Sequence, residues 1–366
     1  MTATVDPLDS FRNSASVMGL SQDFSRFNAQ PPSSYNSGGY NSANNNNRHV
    51  QWDDSEEEED EEDDEYIAMD EILNVCKKYE GGNWRAYSSN GAFTFQVHAE
   101  YDLLLQIQKD LDAKRPSKSS KSSLNSLALS DIDSTKIILK SVDDYCYGKQ
   151  WMYHIGSEKG KAISRFLRSG VESWRKNNKS SGKKFICLDC GTYCGYSSLV
   201  LASTLRTIAT ELQHSISEDE TEEPFEFHVY TTEVSSKLIN VAQSVFRMAK
   251  MEQYITPILM KADGKESLSA AIKKQHDVTG IDFLLFDHAK NLYLSDLNDL
   301  EASGLLKAGS HVSADNVVFN KLDAYRYHME QLQAKGIVET RLDEMNLEYS
   351  NNLKDGIEQT IYLKDP

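Results

Sequence analysis

Between residues 184 and 335 short apolar runs alternate with longer segments of helical spacing, and this alternation restricts the possible folds more than any other feature of the chain. KFICLD (184–189), FHVYTTE (227–233), TPILMKAD (256–263), IDFLLFD (281–287) and SHVSADN (310–316) read as strands. Helices are expected between them at 197–212, 235–249, 266–274 and 294–302, and after the fifth at 322–335. Such alternation predicts an α/β fold, a mostly parallel sheet with helices on both faces. VETRLDEM (338–345) and EQTIYLK (358–364) close the chain with no helix of normal length between them. The seven-stranded sheet should therefore end in a C-terminal antiparallel hairpin.

In an open α/β sheet ligands gather beyond the carboxyl ends of the strands. Acids mark those ends here: Asp189, Glu233, Asp263, Asp287 and the pair Asp315-Asn316. The turn after the first strand runs from Gly191 to Gly195 and lacks the Gly-x-Gly-x-x-Gly spacing of a dinucleotide site. It also has no Lys followed by Ser or Thr, which disfavours a nucleotide triphosphate. An acid ending the second strand suits a ribose diol, because one carboxylate can accept from both hydroxyls. An adenosine-containing ligand without pyrophosphate fits this pattern, and S-adenosyl-L-methionine is such a ligand. Asp287, Asp315 and Asn316 offer hard oxygen donors from neighbouring strand ends, the set Mg²⁺ prefers. The plainer alternative is that Asp287 caps a turn and Asp315-Asn316 forms a loop.

Upstream, residues 1–65 are rich in Ser, Asn and Gly and then acidic, so they should remain disordered. Residues 53–65 hold twelve carboxylates, which leaves −5 of the chain's formal charge of −17 for everything else. That run reads as a solvating tail, with a contact to a basic protein as the functional alternative; an acidic chain is not expected to bind nucleic acid. Residues 66–133 read as a helical extension, with candidates at 67–75 and 97–111, followed by a Ser/Lys-rich linker. The third region, 134–366, starts with two more helices, one carrying Ile137, Ile138 and Val142 and the other Ile163, Phe166 and Leu167. No run reaches the length of a membrane span, and the start lacks the pattern of a signal peptide. A cytoplasmic protein, monomeric, is the expectation. The five cysteines suit a reducing compartment, and Cys187, Cys190 and Cys194 have no fourth ligand at zinc-finger spacing.

Several motifs then occur in one order: Asp144-Tyr145-Cys146, Trp151, Gly156 with Lys159-Gly160, and Gly191-x-Tyr193-Cys194-Gly195-Tyr196-Ser197. Glu233, Asp287-His288-x-Lys290, Ala314-Asp315-Asn316, Leu347-Glu348-Tyr349 and Asp355-Gly356 follow. In these pieces the region 134–366 resembles the magnesium-dependent catechol O-methyltransferases, which have the Rossmann-like fold of S-adenosylmethionine-dependent methyltransferases. The resemblance implies that Asp287, Asp315 and Asn316 hold Mg²⁺ and that Lys290 is the general base. It further implies that Glu348 accepts from the second hydroxyl of a vicinal diphenol, with Trp151 and Asn316 also at the substrate. Glu233 would bind the ribose; Ile155, Gly191, Tyr193 and Ser197 would line the methionine end, with Asp189 and Asp287 beside that cradle. His288 would lie near the adenosine and Asp263 near the adenine.

The chemistry implied has a plain physical logic. A phenol with a pKa of about 10 is a poor nucleophile at neutral pH, and a divalent ion touching two neighbouring oxygens makes one of them far more acidic. The methyl sulfonium needs only in-line placement. Two positions depart from the family: Ala289 stands where it usually has Trp, and Tyr153 where it has Met. Ala289-Lys290-Asn291-x-Tyr293 is closer to the caffeoyl-CoA type of cation-dependent O-methyltransferase. A larger phenolic is therefore the alternative substrate, and a non-catalytic cofactor-binding partner protein the alternative of another class.

Overall fold

The computed structural model describes residues 99–114, 131–178, 182–215, 224–261, 265–275, 278–350 and 353–366. The disordered and acidic segments expected in 1–65, the helix expected at 67–75, the Ser/Lys-rich linker and Asp263 lie outside the described residues.

Among the described residues three helices come first: α1 (Ala99–Lys114), α2 (Asp131–Gly148) and α3 (Gly156–Asn178). The alternating part follows as β1 (Phe185–Cys190), α4 (Tyr196–Ser215), β2 (Phe227–Glu233), α5 (Ser236–Met248), β3 (Ile255–Leu259) and α6 (Leu268–Lys273). It continues with β4 (Phe283–Phe286), α7 (Tyr293–Ala302), β5 (His311–Ala314) and α8 (Asp323–Ala334), and ends in β6 (Val338–Asn346) and β7 (Lys354–Tyr362). The sheet has seven strands in the order β3-β2-β1-β4-β5-β7-β6. β1 to β5 pair in parallel, and β7 runs antiparallel to both β5 and β6. This is the expected α/β arrangement, a mostly parallel sheet ending in a C-terminal antiparallel hairpin.

Why these segments become strands is visible in β1. All six residues of FICLDC are buried, and successive side chains point to opposite faces. Phe185 and Cys187 enter a core with α1 to α5, while Ile186, Leu188 and Cys190 enter a second core with α6 to α8. A strand covered on both faces needs apolar residues at nearly every position, which explains the absence of alternation in FICLDC, where Asp189 is the one polar residue, and in FLLF. The edges differ. β6 alternates charged residues along VETRLDEMN, and β3 carries Pro257, both of which discourage pairing with another chain.

β3 is shorter than the sequence suggests, ending at Leu259 rather than 263, because its partner β2 ends at Glu233. α1 contributes Leu103, Leu104, Ile107 and Leu111 to the same core as α2 to α5, at the i, i+3/i+4 spacing of one helical face. The Asp110 carboxylate accepts from Ser141 Oγ on α2 at 2.6 Å. Among the described residues no helix is long and apolar enough to cross a membrane.

The strand order reverses direction between β1 and β4: the chain travels outward from β1 to β3, then returns to the other side of β1. Two loops leave the sheet in opposite directions at such a point and open a crevice at its carboxyl edge.

Candidate active site

Gly191 leaves β1 with φ +106°, and a Cβ there would fall 2.6 Å from the backbone oxygen of Asp287. Only glycine lets the ends of β1 and β4 come this close. Two residues on, Tyr193 donates its backbone N–H to Glu233 Oε2 (3.0 Å) and its hydroxyl to Glu100 Oε1 on α1 (2.9 Å). Glu233 Oε1 accepts from the N–H groups of Val234 (2.8 Å) and Ser235 (3.1 Å). Three backbone donors thus hold this carboxylate at the end of β2 and leave it lone pairs for further donors. Burial pushes its carboxyl upward, against those three bonds.

Asp189 is fully buried. Its Oδ2 accepts from Ser197 Oγ (2.8 Å), Ser198 Oγ (2.5 Å) and Thr231 Oγ1 (3.3 Å), which ties the first turn of α4 to the sheet. Its Oδ1 is buried and has no hydrogen-bond partner among the described residues. Burial pushes its carboxyl up to about 6, with the three hydroxyls opposing. Ile155 precedes α3 and is buried in the core below this turn.

Parallel register pairs Phe286 with Ala314, so Asp287 and Asp315 leave β4 and β5 side by side. Asp315 Oδ1 accepts from the Asn316 N–H (2.7 Å) and lies 2.7 Å from Lys159 Nζ. Its Oδ2 is buried without a hydrogen-bond partner among the described residues. Asn316, at φ +58°, donates Nδ2 to Asp355 Oδ2 (2.7 Å) and Glu348 Oε2 (3.4 Å). Carboxylates accept only, so the amide must show them its nitrogen, and its carbonyl oxygen faces away. Among the described residues no group of three or more His, Cys, Asp or Glu side chains is arranged for a metal; the expected set has two aspartates and an amide. The unpartnered Asp315 oxygen, beside a second carboxylate and a freed amide carbonyl, fits a hard divalent cation. Burial pushes the Asp287 carboxyl up to about 7; Lys290 opposes this and Asp315 adds to it.

Lys290 opens a short 3-10 turn after β4. Its Nζ lies 2.9 Å from Asp287 Oδ1 and 2.9 Å from Tyr293 Oη. Tyr293 is buried and donates its hydroxyl to Phe286 O (2.8 Å) at the end of β4, with Asp315 O at 3.2 Å. The Tyr293 ring stacks on His288, with centroids 5.1 Å apart and planes 14° apart. His288 Nε2 lies 2.8 Å from Asp296 Oδ2, and its Nδ1 has no hydrogen-bond partner among the described residues. Burial lowers the His288 pKa despite Asp296, which favours the neutral ring.

The loop between β6 and β7 brings Glu348 to the same place. Its backbone oxygen accepts from Trp151 Nε1 (3.0 Å), and its Oε2 accepts from Lys159 Nζ (2.6 Å). Burial pushes its carboxyl up to about 7, with Lys159 opposing and Asp315 adding. Trp151 packs edge-on against Tyr153, with ring centroids 4.8 Å apart. Residues separated by more than 190 positions thus share one end of the sheet.

No protein-family model matches the chain. Over 225 residues it is 27% identical to a catechol O-methyltransferase of Bos taurus, a match spanning 62% of this chain and 69% of that protein. A transmembrane O-methyltransferase homolog of Mus musculus is also 27% identical over 225 residues, 62% of this chain and 74% of that one. The chain is thus similar in sequence to catechol O-methyltransferases and to transmembrane O-methyltransferases. Among solved structures, the O-methyltransferase from Bacillus cereus in complex with SAH is similar over 71% of this chain and 99% of its own, with 16% identity and a TM-score of 0.42.

In this site, three side chains assume positions that the sequence had not given them. Tyr293 links Lys290 to the ends of β4 and β5. Lys159 and Asp355 lie beneath Asp315, Asn316 and Glu348. A signal for Lys159 was present: it sits three and four residues before Ala162 and Ile163, on the buried face of α3, where a lysine must find partners.

Proposed function

We propose that this chain transfers a methyl group from S-adenosyl-L-methionine to one hydroxyl of a catechol-type vicinal diphenol, with Mg²⁺ at Asp287, Asp315 and Asn316. One observation carries the reading: the three oxygen donors, Lys290 and Glu348 come from three separate segments and converge at the carboxyl edge of β4 and β5. A bound Mg²⁺ would supply charge that acidifies two adjacent phenolic hydroxyls. Lys290 receives the proton at Nζ. As a neutral amine it keeps two N–H groups for Asp287 and Tyr293 and one lone pair for the phenol. Glu348 accepts a hydrogen bond from the hydroxyl that stays unmethylated, and Trp151 flanks the ring. The phenolic oxygen forms a bond to the methyl carbon as the carbon–sulfur bond breaks, leaving a neutral thioether.

Cofactor placement rests on the β1 to β2 side. The Glu233 carboxylate takes the ribose hydroxyls, and the turn at Gly191 and Tyr193 runs along the methionine end. Asp189, with its unpartnered Oδ1, stands ready for the ammonium. His288 lies toward the adenosine. Asp263 is assigned to the adenine side on the resemblance alone.

The reading is tested by methyl transfer from labelled S-adenosyl-L-methionine to a panel of vicinal diphenols, with and without a chelator. Turnover that survives the chelator removes the metal; methylation of no vicinal diphenol removes the substrate class. A larger phenolic ester is the second reading, favoured by the exposed Ala289, Asn291 and Leu292 around Lys290, which raise no bulky wall there. Competition between a small catechol and such an ester separates the two.

A further inference from the structure

Lys159 takes no part in the transfer step, yet it is 1% exposed. Moving an ammonium from water into a protein interior costs several kcal/mol unless its charge and all its donors are met. Here they are met by three carboxylates from three places in the fold. Lys159 Nζ lies 2.7 Å from Asp315 Oδ1 after β5, 2.6 Å from Glu348 Oε2 in the hairpin loop and 2.6 Å from Asp355 Oδ2 on β7. An ammonium has three N–H groups, one for each.

These bonds decide which atoms remain. On Asp315, Oδ1 is occupied by Lys159 and by the Asn316 N–H, so Oδ2 alone is left without a partner among the described residues. On Asp355, Oδ2 takes Lys159 and Asn316 Nδ2, while Oδ1 takes the Phe319 N–H at 3.0 Å. Asp355 therefore sets the orientation of the Asn316 amide, and Lys159 fixes Asp355, Asp315 and Glu348 relative to one another. Groups beneath a metal site orient the ligands and tune affinity in this manner.

We propose that Lys159 and Asp355 are positioning residues for the divalent-cation site, aiming Asp315 Oδ2 and the Asn316 carbonyl at one point. The proposal rests on the cation reading given above. Charge and position make opposite demands on Lys159. An ammonium next to a cation site repels the cation, so if charge were its whole effect, removing it would tighten binding. If it positions the ligands, removing it weakens binding.

Mn²⁺ serves as the probe, with binding to the full-length chain followed by titration calorimetry and folding checked by circular dichroism. Lys159→Met should weaken Mn²⁺ binding about 10- to 100-fold; unchanged or tighter binding overturns the proposal. If Lys159→Met does not fold, Lys159→Met with Asp355→Asn removes one charge of each sign, a milder change than stranding one partner. The double variant should lose affinity to the same extent although the site's net charge is unaltered, and wild-type affinity in it overturns the proposal. A wild type that binds no Mn²⁺ instead overturns the cation reading itself, and the proposal with it.

Discussion

A Cβ on Gly191 would fall 2.6 Å from the carbonyl oxygen of Asp287, so the loops that open the crevice at β1 and β4 meet at a separation that only glycine allows. Gly191→Ala must both move a backbone and hold alanine near φ +106°. A loss of about 1–3 kcal/mol in urea unfolding is expected, together with weaker binding of S-adenosyl-L-methionine. Unchanged stability would mean that the β4 exit shifts freely.

Asp189 should impose a pH dependence on stability. Its folded carboxyl lies near 6, above the value of about 3.9 for a free aspartate, so the folded state holds this proton more tightly. The stability it contributes is complete below about pH 4 and is lost as pH rises through 6. Asp189→Asn has no such proton. Its stability relative to the wild type should rise by on the order of 2 kcal/mol between pH 4 and 6.5 and stay level above. Urea unfolding of the cofactor-free protein across this range gives the curve, and a flat difference would contradict the assignment.

Lys290→Met should reduce turnover by about 10²- to 10⁴-fold, the usual worth of a positioned base, with little change in cofactor affinity. Tyr293→Phe removes a hydroxyl that touches Lys290 Nζ and the backbone at Phe286. A smaller fall in kcat is expected, with about 1 kcal/mol of stability lost. Rapid-quench turnover and calorimetric cofactor binding separate these effects; equal losses of turnover and affinity in Lys290→Met would make Lys290 a structural residue.

Glu233→Gln places an NH₂ group among three backbone N–H donors that now face carboxylate oxygens. A charge-assisted bond is worth about 1.5–3 kcal/mol, so binding of S-adenosyl-L-methionine should weaken about 10- to 100-fold. Because this residue lies at β2, away from Lys290, kcat at saturating cofactor should change little. A fall in kcat with unaltered affinity would move the ribose elsewhere.

Much of the architecture could be read before any coordinates. FICLDC is apolar except for the buried Asp189, and FLLF is apolar throughout and stops at Asp287, because both faces of the sheet are covered. Period and burial are local properties of a segment, so strands, helices and the closing hairpin follow from a few residues at a time. β3 and β7 departed from this: β7 begins at Lys354, ahead of EQTIYLK, and TPILMKAD continues its pattern although pairing stops at Leu259, opposite Glu233 at the end of β2. Strand length depends on the neighbour as well as on the segment.

The amino-acid sequence by itself determined that polar groups would end buried strands, and that Asp287, Asp315 and Lys290 would therefore stand at the carboxyl edge of the sheet. Tertiary structure alone decided which of them meet. The order β3-β2-β1-β4-β5-β7-β6 puts the hairpin loop beside β5 and draws Lys159 under Asp315, Glu348 and Asp355. These contacts join residues up to 196 positions apart. No local pattern encodes such a meeting, because it is set by how whole layers pack and by the need of one buried ammonium to find three acceptors.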